Sequence, residues 1–272
     1  MSMETNPHNQ EEKKLNRYIR RKTILSFSVL ILFFVFAIVG WKWLRRQPID
    51  AGALKPLRTV LNVNEKVNNA IFSETHLAKE YPKSAAVKNV RVNGNVGMSD
   101  DFDADNWRLS INRHPENSLP DSTLELKMKD IYAIPKRDIV FDFKCIEGWS
   151  QITYWGGVKF SDFISKYNLG THSGKSFDRN HPEDLYKYVG LMTPDSEYYV
   201  GIDMKSMLQP QTILCYELNE KPLPMNQGYP LRLIIPVKYG VKNLKRIGYI
   251  YFSDTPPRDY WFERGYVYDA AL

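Results

Sequence analysis

The sequence predicts a mixed α+β domain, rich in sheet, preceded by one transmembrane helix. Two observations carry that expectation. Residues 23–40 form an uncharged apolar run, long enough to cross a bilayer core as a helix. From Val87 onward, short alternating or β-branched segments follow one another between Gly, Pro, Asn and Asp turns, and helical spacing is confined to brief stretches.

Composition narrows the function classes. At 272 residues the chain suits one domain of ordinary size with a substantial core. The pI of about 9.1 would suggest an anionic partner. However, residues 1–46 hold nine Lys/Arg against three Glu, and the other 226 hold 28 basic and 28 acidic side chains. The net +6 therefore sits at the N-terminus. A nucleic-acid binder would concentrate it on a folded face, so no nucleic-acid partner is expected. Two cysteines are too few for a disulfide framework. No GxGxxG or P-loop occurs, which leaves nucleotide chemistry without support. Asp101-Phe102-Asp103-Ala104-Asp105 opens like a calcium loop but fails at Asn106 and Asn112, where Gly and Glu are needed.

Taken in order, residues 1–21 are polar and charged and read as disordered, within a basic cytoplasmic tail at 1–22. Residues 23–43 are the anchor, with Trp41 and Trp43 at its interfacial edge. Lys13, Lys14, Arg17, Arg20, Arg21 and Lys22 precede it, and a slightly smaller set follows, which places the N-terminus inside and the domain outside. Arg20-Arg21 hints at twin-arginine export, but Thr23 suits that signal poorly. Ala51-Gly52-Ala53 lies too far from the apolar run to be its cleavage site, so the anchor is expected to stay uncleaved. Residues 44–86 are a linker and a helix, at 56–72, packing on the domain through Leu57, Val60, Leu61, Val67 and Ile71. The domain proper is 87–272.

Within the domain, 91–94 closes a strand, and strands are expected at 107–112, 123–128, 138–143, 198–202, 212–218, 231–237 and 247–253. Residues 161–167 read as a short helix with Phe163 and Ile164 on one face. Residues 171–184 read as a long surface loop. Cys215, inside an apolar strand, reads as packing.

One stretch stands apart: Phe141-Asp142-Phe143-Lys144-Cys145-Ile146-Glu147-Gly148-Trp149-Ser150. It sets a thiol between a strand and a Gly-Trp turn, at the mouth of a fold. A lone cysteine at a strand end more often fills space. Here Trp155-Gly156-Gly157 follows, and later come Tyr229-Pro230-Leu231-Arg232 and Pro236-Val237-Lys238-Tyr239-Gly240. Together these blocks resemble the molybdopterin-binding domain of the sulfite oxidase superfamily, within it the branch of bacterial periplasmic methionine sulfoxide reductase catalytic subunits. The resemblance runs from about Val87 to Phe262.

The resemblance implies a molybdenum–molybdopterin cofactor with Cys145 as the protein's metal ligand. A soft dithiolene-bound metal takes a thiolate naturally, and the chemistry is oxygen-atom transfer. Arg232 and the turn Asn243-Leu244-Lys245 match the family's cofactor contacts, as does Thr193. Gln227 stands where relatives have Asn or His, and Arg91 and Asn93 match the first cofactor-facing loop. Lys238, Lys242 and Arg246 join Arg232 and Lys245 as cations suited to the cofactor's phosphate, although a solvated basic loop would look the same.

Glu147-Gly148-Trp149 replaces the arginine-rich follow-up of true sulfite oxidases, which favours reduction of an S- or N-oxide, in a small molecule or a protein side chain. The chain shows no Cys-x-x-Cys-His haem motif and ends without the extra β-sandwich of sulfite oxidases. Electrons are therefore expected from a separate redox partner, a membrane haem or quinone-linked protein. A sulfite-oxidising enzyme stays open, as do a cysteine hydrolase pairing Cys145 with His172 or His181 and a non-catalytic electron-transfer module. His8, His76 and His114 show no paired metal spacing with these. Trp149, Tyr154, Trp155, Tyr198 and Tyr199 wall a pocket or belong to the core, each alone leaning to core.

Overall fold

The computed structural model describes residues 7–71, 77–113, 123–178 and 180–272. The chain divides into two units, Met1–Thr59 and Val60–Leu272. The first holds α1 (Pro7–Arg45), then a hairpin of β1 (Ile49–Asp50) and β2 (Ala53–Leu54), then the start of α2 (Lys55–Ile71). The tail expected to be disordered is helical from Pro7. Its Glu, Gln, Lys, Leu and Arg are good helix formers, Pro stands at the first helical position, and the helix nucleates on the apolar run behind it. Ala51 and Gly52 turn the hairpin with φ of 43° and 76°. Arg58 Nη2 donates to Ala51 O at 2.5 Å and ties the hairpin to the first turn of α2.

The second unit is built on two five-stranded sheets. One runs β10 (Lys221–Pro222), β9 (Ile213–Leu218), β6 (Ser150–Lys159), β5 (Lys136–Lys144), with β11 (Arg232–Ile234) also on β9. The other runs β4 (Thr123–Leu126), β3 (Leu109–Asn112), β12 (Tyr249–Ser253), β7 (Tyr188–Met192), β8 (Tyr199–Asp203). Every pairing is antiparallel except β12 with β3. Three short α-helices, α3 (Met128–Tyr132), α4 (Phe160–Tyr167) and α5 (Met204–Met207), join them, with single 3-10 turns at Lys83–Ala85, Pro182–Asp184, Met225–Gln227, Gly240–Lys242 and Phe262–Arg264. Phe160, Phe163 and Ile164 turn the buried face of α4 inward, as its periodicity predicts.

The first sheet is buried on both faces. On β9, Leu214 and Tyr216 join the main core, while Ile213, Cys215 and Leu218 join a smaller cluster with Ile139, Phe141, Trp155 and Ile234. Cys215 and Leu218, three apart, would face opposite sides of a regular strand. They share a side because the β6–β9 register shifts between Gly156 and Gly157, skipping Tyr216. A Cβ on Gly157 would strike Leu214 O and lie 2.6 Å from Cys215 Cα, so glycine is required for this approach.

Most expected strands form, with shifted ends. Residues 91–94 do not: they lie in an extended loop fastened by side chains instead of a ladder. Gln151 Oε1 accepts from Arg91 N at 2.9 Å, and Gln227 Nε2 donates to Val90 O and Arg91 O at 3.3 Å. The loop expected at 171–184 is confirmed for its described residues, with one bridge pairing Thr171 and Leu185. The helix at 56–72 is α2, its last expected residue Phe72 lying outside the described residues. Of the residues expected to pack it down, Leu57, Val60, Val67 and Ile71 are exposed and Leu61 is half-buried.

Candidate active site

Strands β5 and β6 form a long hairpin whose last pair is Lys144 with Ser150. The five residues between them make a tight loop. Cys145 N donates to Trp149 O at 2.9 Å and Gly148 N to Cys145 O at 3.0 Å. Gly148 sits at φ 87°, where an L side chain is strained. Cys145 is thus pinned by its own main chain at the sheet end. It is 6% exposed, and that remnant faces a cleft.

Arg91, Asn93, Gln227, Arg232, Asn243 and Lys245 line the same cleft. Asn93 Nδ2 lies 3.7 Å from Cys145 Sγ. Arg232 donates through Nη1 to Gln227 O (3.0 Å) and Gln227 Oε1 (2.9 Å), and its guanidinium lies 4.6 Å from the Trp155 ring centroid. It is buried with no carboxylate among these partners, and its Nε has no hydrogen-bond partner among the described residues. Burial draws its pKa down to about 10. Lys245 Nζ donates to Asn93 O (2.8 Å) and Gly94 O (3.0 Å), clamping the loop over the cleft. Burial first, and Arg232 second, pull the Lys245 ammonium down to about 8. Two desolvated cations beside uncharged partners suit an anionic ligand.

Two expected residues lie behind the wall. Leu244 is buried in the main core, where its carbonyl accepts from Leu233 N. Thr193 is buried with its hydroxyl on Asp195, 2.5 Å away, and its side chain backs Gly97 of the covering loop. The five-cation cluster does not assemble. Lys238 pairs with Asp203 and Asp269, Lys242 pairs with Asp259, and Arg246 lies 4.2 Å from the Phe102 ring centroid. Their charges are spent on acids and a ring elsewhere in the unit. Among the aromatics, Trp149, Trp155 and Tyr198 line the cleft. Tyr154 instead bonds Asp138 and Glu220, and Tyr199 bonds Glu263.

Among the wall residues, Gln151, Val241, Trp261 and Tyr266 escaped the sequence reading, and Phe143 and Glu147 were read only as parts of the 141–150 block. The aromatic density at 260–268 was the only signal for Trp261 and Tyr266. Glu147 accepts from Trp149 Nε1 at 3.1 Å, and hydrogen bonds, with Asn93 first, hold its carboxyl below the usual range. Arg91 stacks 4.7 Å from the Trp149 ring centroid at the rim.

Among the described residues that line the cleft there is no histidine. His172 faces Asp254 and Tyr186, and His181 faces Glu183. His76 and His114 lie outside the described residues. Among the described residues no group of three or more His, Cys, Asp and Glu is gathered for a metal. A single thiol beside an orphaned guanidinium fits a metal that arrives already held by an anionic organic ligand.

The fold and this cleft define an oxidoreductase domain that carries such a ligand. The chain belongs to the oxidoreductase molybdopterin binding domain family, whose model matches residues 95–261. It is 30% identical over 219 residues to the "Putative protein-methionine-sulfoxide reductase subunit YedZ1" of Azospira oryzae, covering 80% of this chain and 76% of that one. It is 28% identical to the protein-methionine-sulfoxide reductase catalytic subunit MsrP of Campylobacter jejuni, over 61% of this chain. The chain spans only 55% of that MsrP's length. The sulfane dehydrogenase SoxCD from Paracoccus pantotrophus aligns at a TM-score of 0.46 and 17% identity, over 67% of this chain and 46% of that one. The protein is a molybdopterin-binding oxidoreductase, and the fold expected from the sequence is the one found.

Proposed function

We propose that this chain is a membrane-anchored reductase of an S- or N-oxide, such as methionine sulfoxide. The observation that carries the reading is the cleft shared by the Cys145 thiol and the buried Arg232 guanidinium, whose Nε has no hydrogen-bond partner among the described residues and whose other bonds go to uncharged groups. In this reading Cys145 is the protein's ligand to molybdenum. Arg91, Asn93, Gln227, Arg232, Asn243 and Lys245 hold the pterin and its phosphate, Leu244 anchors the Asn243–Lys245 turn in the core behind them, and Thr193 sets the covering loop from behind. When bound, the cofactor supplies two-electron oxygen-atom transfer. The net reaction consumes two electrons and two protons, breaks the S–O bond and releases the sulfide and water.

The chain's own residues shape and dry the approach. Trp149, Trp261 and Tyr266 present ring surface to an apolar thioether arm. Asn93 steadies the Cys145 sulfur from the side. The substrate class is further supported by the names of both curated relatives and by Glu147-Gly148-Trp149 in place of arginines. "Catalytic subunit" in the MsrP name supports electron delivery by a separate protein, membrane haem or quinone-linked. The N-terminal helix is long and apolar enough to span a membrane and supports anchoring. We place the anchor in the cytoplasmic membrane as a single pass, tail 1–22 inside, residues 44–86 as tether and 87–272 as the catalytic domain on the periplasmic side.

Metal analysis and a turnover screen on one preparation test this. The expected result is molybdenum near one per chain and faster reduction of sulfoxides or N-oxides than oxidation of sulfite. Sulfite oxidation outrunning every reduction would overturn the assigned direction.

A further inference from the structure

Helix α2 is amphipathic in the reverse of the usual sense. At 3.6 residues per turn, Val60, Val63, Val67 and Ile71 fall on one stripe. A helix on a globular domain normally buries such a stripe. Here the four are 57%, 54%, 56% and 75% exposed. The opposite face carries Asn62, Glu65 and Lys66, which line a cleft with Asp203, Asp259 and Asp269 of the same unit. Of these, Glu65 is half-buried, and burial raises its pKa with Asp269 adding to it, while Asn62 and Lys66 stay exposed at the cleft's edge. The domain thus holds α2 by its polar side and offers its aliphatic side outward.

We propose that this aliphatic face lies on the outer lipid surface of the membrane, as an in-plane helix. The proposal rests on the anchoring proposed above. The apolar span ends at Trp41, Trp43, Arg45 and Arg46, residues that settle at the bilayer interface. Between α1 and α2 stand only residues 46–54, at most about 30 Å when extended. The β1–β2 pairing of Ile49 with Leu54 doubles that tether back on itself. An exposed aliphatic stripe so near the interface meets lipid before any other surface. Its composition favours lipid over a protein partner: four aliphatic residues, with none of the Trp, Tyr or Arg anchors that concentrate in protein interfaces. Docked this way, α2 turns a flexible tether into a second fixed point.

The test uses the full chain in phosphatidylcholine–phosphatidylglycerol vesicles, with p-benzoylphenylalanine replacing Val67, Val63, Lys66 or Leu32 in turn. Adducts after illumination are read by mass spectrometry. The expected result is lipid adducts at Val67→p-benzoylphenylalanine and Val63→p-benzoylphenylalanine, at least fivefold above Lys66→p-benzoylphenylalanine. Lipid adducts at Leu32→p-benzoylphenylalanine but none at 63 or 67, or adducts there to protein alone, overturn the in-plane helix and leave the anchor standing. No lipid adduct at Leu32→p-benzoylphenylalanine removes the anchor and this proposal with it. Hydrogen exchange across 60–71 in the unsubstituted chain is the second measurement. Protection in vesicles no greater than in an amphipol belt, which covers the spanning helix but offers no lipid face, overturns it too.

Discussion

Cys145 and Lys245 make opposite demands on their surroundings. The sulfur is held by backbone bonds on either side of a five-residue loop, so its side chain contributes little to that loop's shape. Cys145→Ser should therefore change stability by less than about 1 kcal/mol, and it should remove sulfoxide turnover by at least about a thousandfold. Thermal melting and turnover on one sample check both, and substantial activity in the Ser variant would remove the ligand role. Lys245 is costly to the cofactor-free fold. Its ammonium is drawn down to about 8 by burial beside Arg232, against an ordinary 10.5. Between those values the unfolded chain keeps a proton that the folded chain has released. Stability of the cofactor-free protein should consequently rise with pH across that window, by up to about 3 kcal/mol. Lys245→Met should remove that slope, measured as Tm against pH beside the wild type. An anion bound at the cleft restores the charge, so the loaded protein should show a flatter profile.

The elements show why the pattern was readable in some strands and hidden in others. Strand β9 was legible as an apolar, β-branched run, and β12 by alternation. Strand β6, the longest at ten residues, was not read as a strand. Buried on both faces, it lacks the period of two, and its Trp155-Gly156-Gly157 stood out as a motif instead. That motif has a structural purpose in the β6–β9 register shift. Gly157→Ala should cost about 2–3 kcal/mol, because the added methyl meets backbone, which cannot give way as a side chain would. A Tm drop of several degrees checks it, and an unchanged Tm would show that the two strands can separate freely. The loop at 87–97 failed the strand reading for a related reason. Its backbone groups are satisfied by Gln151, Gln227 and Lys245, partners 60 to 152 positions away, which local pattern cannot reveal. The same distance hid Trp261 and Tyr266 from the cleft, while Cys145 and Arg232 were legible chiefly through the blocks that carry the family resemblance, since a lone cysteine at a strand end reads by itself as packing.

At the scale of the molecule, charge and hydrophobicity divide the chain by function. The +6 lies within residues 1–46, and the remainder is balanced. The question is which force holds the protein to its membrane. A basic residue near an anionic surface contributes about 1 kcal/mol and is screened by salt. Each buried Leu, Ile, Val or Phe contributes about 1.5–3 kcal/mol, and the apolar run supplies thirteen. Hydrophobic insertion wins by a wide margin, so the full chain should remain in the membrane fraction through 1 M salt and alkaline carbonate and leave only with detergent. Orientation is set more narrowly. Six basic residues precede the span, against Lys42, Arg45, Arg46, Lys55 and Arg58 after it. With flanks so nearly matched, replacing Lys13, Lys14, Arg17 and Arg20 by Gln should invert a measurable fraction of molecules. Protease added to spheroplasts, whose outer membrane is breached and whose inner membrane is intact, reads this directly. It should digest a C-terminal tag on the wild type nearly completely and spare a fraction of it on the four-Gln variant. Full protection of the wild-type tag would place the domain inside and reverse the assigned topology.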